Sequence, residues 1–269
     1  MLTGWQPEKE GNRAEEEAVF RKLLSSIGVG GATVDTRLSH DTLVPGETVS
    51  GETIIEGGNG PQEFERIYLY VSTQYKHEDS LHEHTLVEHS VGGAISVDAG
   101  EKRTIPFSFP LPYETPLSLG RHDVYVRTGL DVPNAIDPSD VDPIRVAPHP
   151  LQQAVLDAAG NLGFRLRQVE NEYDPRKGAP LPFVQQFEFR PEGRYGGKVE
   201  EIELVFKLSG DEALDVLVEL DRRATSLGGL LESALEMNER FTRLRVTRSD
   251  AERGAIEGML ADAIDAHTG

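Results

Sequence analysis

Two stretches decide the fold: VPGETVSG at residues 44–51 and IPFSFPLP at residues 105–112. In the first stretch, Pro45 presets φ near about −65° and Gly46 accepts a positive φ. This pair therefore suits the centre of a type II turn that feeds a strand. The second stretch alternates apolar and polar residues and then ends on prolines, which cannot donate to a strand ladder and so close the strand. Both stretches predict antiparallel β-structure.

The same kind of pattern runs from residue 32 to residue 147. Apolar and polar residues alternate along residues 67–72, and glycine-rich signals such as GGNG at residues 57–60 mark turns. The alternation predicts strands at residues 32–38, 48–56, 65–75, 85–97, 102–111, 122–130 and 143–146. No helical pattern lies between these strands to make parallel crossovers, so they predict an antiparallel sandwich.

A second β-rich unit follows the sequence PHP at residues 148–150, which marks a boundary. A short helix is predicted at residues 151–161, and strands are predicted at residues 164–170, 183–190, 199–208, 214–220 and 241–246. The motif SDAE at residues 249–252 fits a capping box, with Ser249 as the cap, and predicts a closing helix.

The predicted organisation has four parts: a disordered extension at residues 1–18, an N-terminal unit at residues 19–148, a C-terminal unit at residues 149–248 and a helix at residues 249–269. A short amphipathic helix is also predicted at residues 14–27. The sequence has no long apolar window and no apolar signal core, so we expect neither a membrane-spanning helix nor a secretory signal. The chain has no cysteine, which excludes disulfides and is compatible with a cytoplasmic protein.

The charge balance restricts the class of partner. The chain has 46 acidic and 27 basic residues, for a formal net charge of −19. A field of this sign repels phosphate backbones and anionic lipid heads, so we expect no nucleic-acid partner. It favours protein partners with basic segments.

The turn and the proline-ended strand resemble the N-terminal half of an arrestin-like β-sandwich. The chain as a whole resembles the SpoOM sporulation-control family. The resemblance rests on FRKLLSSIG at residues 20–28, ATVDT at 32–36, NLGFRL at 161–166, LPFVQQFEF at 181–189 and ELDRRA at 219–224. It implies an all-β fold of two tandem arrestin-like, immunoglobulin-like sandwich domains with short terminal helices. It also implies a regulatory, non-catalytic role in sporulation or cell-physiology control, with no catalytic residues and no cofactor.

A histidine cluster is the first candidate site. The cluster consists of His77, His82, His84 and His89, with acidic residues between them. Imidazoles and carboxylates together can bind zinc or a similar metal. His82 and His84 would share one face of a strand, whereas His89 has the wrong parity unless a bulge intervenes. The alternative is a polar hairpin with solvated side chains.

A second candidate is the acidic loop that contains Asp131, Asp137, Asp140 and Asp142. Closely spaced carboxylates can bind Ca²⁺, but the spacing of an EF-hand is missing. The alternative is turn chemistry around the neighbouring prolines.

A third candidate is the pair Arg222 and Arg223. Guanidinium groups can grip a carboxylate of a partner, which makes this a candidate partner-binding pair. The alternative is an ion pair within the chain, with Asp221 or Glu219 at the end of a strand.

The sequence contains neither a G-x-S-x-G motif nor a phosphate-binding loop. We therefore interpret the chain as a non-catalytic protein that acts through protein–protein contacts. The alternative from another class is a metal-binding protein or a metal-dependent hydrolase that uses the cluster from His77 to His89. A third hypothesis places the N-terminal helix on a membrane surface. Neither the partner nor the oligomeric state follows from the sequence.

Overall fold

The computed structural model describes residues 31–131, 139–222 and 241–268. Within these ranges the chain forms fifteen β-strands and three α-helices. The predicted extension at residues 1–18 and the predicted helix at residues 14–27 lie outside the described residues. No helix in the described part of the chain combines the length and the apolarity needed to cross a bilayer.

The N-terminal unit is a sandwich of two antiparallel sheets. Its strands are β1 (Thr33–Leu38), β2 (Thr42–Leu43), β3 (Thr48–Glu56), β4 (Gln62–Phe64), β5 (Arg66–His77), β6 (Ser80–Gly92), β7 (Ile95–Val97), β8 (Lys102–Pro110), β9 (Val124–Asp131) and β10 (Ser139–Val146). One sheet has the order β1-β3-β8, and the other begins β6-β5-β9-β10-β2, with β2 parallel to β10. Strands β4 and β7 form a separate ribbon.

The two stretches that decide the fold lie side by side. Strands β3 and β8 pair antiparallel, with Thr48 opposite Pro110 and Gly51 opposite Phe107. Gly46 has φ of 90°, as the predicted type II turn requires, and the ring of Tyr113 occupies the space where a Cβ would stand. The turn is therefore fixed against the end of β8.

The sandwich core lies between the two sheets. Phe107 and Phe109 on β8 belong to the same buried cluster as Leu69 on β5 and Val126 on β9. Each such side chain contributes about 1.5–3 kcal/mol when it is fully buried. A smaller cluster around Phe64 closes the other end of the sandwich.

The C-terminal unit is a five-stranded antiparallel meander with helices on its apolar face. Its strands are β11 (Phe164–Tyr173), β12 (Phe183–Pro191), β13 (Val199–Ser209), β14 (Ala213–Arg222) and β15 (Phe241–Thr247), and its helices are α1 (Pro150–Asn161), α2 (Arg248–Glu252) and α3 (Ile256–Asp265). Val155 of α1 and Leu260 of α3 pack with Leu204 and Val218 of the sheet.

The predicted β-rich fold with short helices is confirmed. In the described residues the C-terminal unit supplies one sheet rather than two. That this unit is a second arrestin-like sandwich stays a prediction, as do the domain boundaries.

Strand β5 joins the two units. Strand β9 pairs antiparallel with β5 from Arg66 to Thr73, and β11 then meets β5 in parallel at Lys76. The meander of the C-terminal unit therefore continues the larger sheet of the sandwich, and together they form one ten-stranded sheet.

The closing helical segment begins earlier than the sequence predicts. Thr247, not Ser249, is the cap of α2, because the Thr247 hydroxyl accepts from the N–H of Asp250 and the Asp250 carboxylate accepts from the N–H of Thr247. The predicted single helix is also divided into α2 and α3. The motif SDAE fits the sequence pattern of a capping box. Thr247, the last residue of β15, forms a capping box with Asp250 two residues earlier.

We expect Thr247→Ala to lower the free energy of unfolding by about 1 kcal/mol, because it removes the acceptor of the capping box. Chemical denaturation measures this loss. The control is Ser249→Ala, which changes an exposed residue of α2 and should have almost no effect. An equal loss in both variants would contradict the assignment of the cap.

Candidate functional site

The structure brings three of the four candidate histidines together. His82 pairs with Tyr75 and His84 with Thr73 across the β5–β6 hairpin, and His77 lies at the end of β5. These three residues lie where β5 passes from the N-terminal unit to the C-terminal unit.

His89 lies on the same face as His82 and His84 but farther along β6. The pairing shifts by one residue between Val71 and Ser72, and this bulge reverses the parity of the residues that follow in β6. His89 stacks on Phe109 of β8, with 4.7 Å between the ring centroids. It therefore belongs to the sandwich and not to the group of three.

The three histidines pack into a cluster of aromatic rings, which we call the aromatic joint: Tyr75, His77, His82, His84, Tyr173 and Phe183. His77 stacks on Tyr173 with 3.9 Å between ring centroids, and Tyr75 stacks on Phe183 at 5.2 Å. Burial lowers the pKa of His84. Since Tyr173 and Phe183 come from β11 and β12, the aromatic joint holds the hairpin to the C-terminal unit.

The proposed metal site stays a prediction. Among the described residues, no three histidines or carboxylates converge closely enough to hold a metal ion. The imidazole faces of His77 and His82 are instead occupied by ring contacts with Tyr173 and Tyr75.

A buried amide network lies beside the aromatic joint. Asn171 on β11 is fully buried, and its Nδ2 donates to the carbonyl oxygen of Gln74 on β5 at 2.9 Å. Its Oδ1 accepts from Nε2 of Gln185 at 3.1 Å. Gln185 also donates to the carbonyl of Leu117 and accepts from the N–H of Leu117, as a strand backbone would. The network therefore satisfies backbone groups at the point where β5 changes its partner from β9 to β11.

His122 lies at the same junction. It is buried, and its Nε2 is 3.9 Å from a carboxylate oxygen of Glu170 on β11. Desolvation lowers the pKa of His122, although the charge of Glu170 acts in the opposite direction. Burial at the junction therefore favours the neutral form of the His122 imidazole.

The acidic loop is divided among structural roles. Asp140 is buried in β10, and its carboxylate accepts from the backbone N–H of Thr36 on β1 at 2.7 Å. Asp131 accepts from the guanidinium of Arg66 at 3.1 Å. Asp142 lies in β10 and Asp137 lies outside the described residues. The calcium hypothesis stays a prediction, although Asp140 is already engaged with the backbone of β1.

The arginine pair lies at an end of the described chain. Arg222 is the last residue of β14, opposite Val199 of β13 in the register, and Arg223 lies outside the described residues. The role of the arginine pair in binding a partner stays a prediction.

A row of carboxylates crosses the polar face of the C-terminal sheet, and the sequence analysis missed it. Glu203 lies directly opposite Glu188 of β12 on one side and Glu219 of β14 on the other. Burial and these two charges raise the pKa of Glu203 to about 7. Gln186 donates to Glu203, and Lys177 pairs with Glu219 at 3.2 Å. Adjacent like charges destabilise a sheet, so the row is a source of strain in the ionised state.

A sequence signal existed for the amide network but not for the carboxylate row. Asn171 occupies an inward position two residues after the buried Val169 on β11, where a polar side chain must find partners. The glutamates alternate regularly within their own strands, and only the register between the strands places them side by side.

The geometry defines a β-rich protein of two joined units, with the aromatic joint and a buried amide network at their junction. Comparison with known proteins gives the family: the SpoOM protein family model matches residues 20–224. This chain belongs to the SpoOM family.

Two comparisons, one of sequence and one of structure, match Spo0M of Bacillus subtilis. The sporulation-control protein Spo0M of strain 168 is 40% identical over 252 residues, which cover 91% of this chain and 97% of that protein. The crystal structure of Spo0M from Bacillus subtilis superimposes with a TM-score of 0.79 at 38% identity, and the match covers 88% of this chain and 99% of that one. The likeness therefore includes both units.

We expect Asn171→Ala to lower the free energy of unfolding by about 2–3 kcal/mol, because it removes the donor to the part-buried carbonyl of Gln74 and one of the two acceptors of the Gln185 amide. The matched control is Asn161→Ala, at an exposed asparagine that ends α1. Chemical denaturation of both variants measures the difference. A loss at residue 171 no larger than that at residue 161 would show that the network contributes little.

We expect Glu203→Gln to stabilise the protein by about 1–2 kcal/mol at pH 8 and to change little below pH 4.5. The folded state raises the pKa of Glu203 above its ordinary value, so the neutral form is favoured and stability is lost as the pH rises from about 4.5 through about 7. Thermal unfolding of both proteins between about pH 4.5 and about pH 8 tests whether the stabilisation by Glu203→Gln grows as the pH rises. Glu200→Gln, at an exposed position of β13, is the control, and the same pH profile for both variants would contradict the account.

Proposed function

We propose that this protein is a non-catalytic regulatory protein that acts by binding other proteins, in a role like sporulation control. The observation that carries this proposal is the relative from Bacillus subtilis, which is named a sporulation-control protein and is similar over nearly the full length of both chains.

The contacts at the junction and on β10 support a non-catalytic role. The rings of the aromatic joint contact one another, and the amides of Asn171 and Gln185 bond to backbone groups. Asp140 likewise bonds to the backbone N–H of Thr36. These polar side chains stabilise the fold, and their hydrogen bonds are directed to the protein itself.

The negative net charge of the chain supports basic proteins as partners. A net charge of −19 attracts Lys- and Arg-rich segments and repels nucleic acid. We propose that the protein acts in the cytoplasm on protein partners of this kind.

Complementation of a strain that lacks the relative tests the proposed role. The chain is expressed in a Bacillus subtilis strain that lacks Spo0M, and heat-resistant spores are counted after starvation. We expect counts above those of the same strain with an empty vector, because the two proteins match over both units. Folded protein at the level of native Spo0M with no effect on the spore count would contradict a sporulation-control role.

A further inference from the structure

Strand β6 presents a long edge of the larger sheet. It has 13 residues and pairs with β5 along one side. No other strand in the described ranges pairs with its second side. Near residue 89 the edge approaches β8, where His89 stacks on Phe109. Residues 80–85 extend beyond that contact, and all of them except His84 are exposed.

Residues 80–85 lie on the turn side of the bulge in β6 and lack two common protections against strand addition. Exposed edges are commonly protected by lysine or proline. Residues 78–92 contain neither, nor any arginine, and they include four acidic residues: Glu78, Asp79, Glu83 and Glu88. The edge is therefore open to another strand. Apart from its histidines, the ionisable side chains of β6 are all acidic, and Arg127 of β9 pairs with Glu83 at 3.6 Å.

The two faces of the edge offer different contacts. On one face, His82 belongs to the aromatic joint, where Tyr173 is 43% exposed. On the opposite face lie Leu81, which is 59% exposed, and Glu83. An added strand would place alternate side chains over these two surfaces. Flat rings on one face suit stacking, and the exposed leucine on the other suits the long aliphatic stem of an arginine. Glu78 and Asp79, exposed at the turn before β6, add negative charge that attracts its guanidinium.

We propose that residues 80–85 of β6 bind an extended, arginine-containing segment of another protein by adding it to the sheet. This proposal rests on the proposed function and names the surface that would carry it. Backbone hydrogen bonds to β6 supply the affinity, and the acidic side chains of the edge select a basic segment.

Charge argues against a second copy of this chain as the occupant. Pairing of β6 with another β6 would bring Glu78, Asp79 and Glu83 near identical carboxylates, and each chain carries a net charge of −19. A basic segment removes this repulsion.

A six-residue peptide that alternates arginine and valine, labelled with fluorescein, tests the proposal on the full chain. Anisotropy gives the Kd at about 50 mM and about 300 mM salt, and hydrogen exchange reports on the amides of residues 80–85. The test variant is Leu81→Lys. The matched control is Leu119→Lys, which adds the same charge at another exposed leucine, 40% exposed in a loop.

We expect binding that weakens with salt, protection of residues 80–85, a Kd at least fivefold weaker for Leu81→Lys and a change below twofold for Leu119→Lys. A peptide of glutamate and valine should not bind. Equal binding by both variants, binding without protection of residues 80–85, or no binding at all would overturn the proposal. So would a dimer in the absence of peptide that Leu81→Lys dissociates, because the edge would then bind a second copy.

The complementation assay separates this proposal from the proposed function. If the wild-type chain raises the spore count and Leu81→Lys does so equally, the proposal that the β6 edge binds the partner is wrong and the regulatory role stands. If the wild-type chain has no effect, the regulatory role fails whatever the peptide does.

Discussion

The hydrogen bond from the Asn171 side chain to the carbonyl of Gln74 is the constraint on which the joined structure depends. Strand β5 pairs with β9 up to Thr73 and with β11 at Lys76, so its backbone passes between two partners within three residues. A part-buried carbonyl at such a gap costs free energy unless a donor replaces the missing strand. The Asn171 amide is that donor, and Gln185 holds it in place from the neighbouring strand.

The position of the hairpin follows from this junction. Because β11 meets the end of β5, the last residues of β5 and the first of β6 extend past the sandwich and pack against the C-terminal unit. The rings of Tyr75 and His77 find Phe183 and Tyr173 there. The aromatic joint and the exposed edge of β6 are thus two consequences of one shared strand.

Local patterns in the sequence predicted the local structure. The turn at Gly46, the alternation in β3 and β8 and the helix α1 follow from propensity and period, and they are confirmed. The cap of α2 was predicted two residues late, because two overlapping motifs satisfy the same rule. The face on which His89 lies depends on a bulge next to Val71, and no local signal places a bulge. The inward position of Asn171 is readable from the alternation along β11, but its partners and the carboxylate row depend on pairing between strands, which a single sequence does not specify.

The central claim is that β5 makes the two units one sheet, so that they tumble as a single body. Residual dipolar couplings of the backbone amides in weakly aligned solution test this most directly. The account predicts that one alignment tensor fits the amides of β9 and β10 together with those of β12 to β14. Two tensors of different magnitude or orientation would show that the units move independently, and they would contradict the claim.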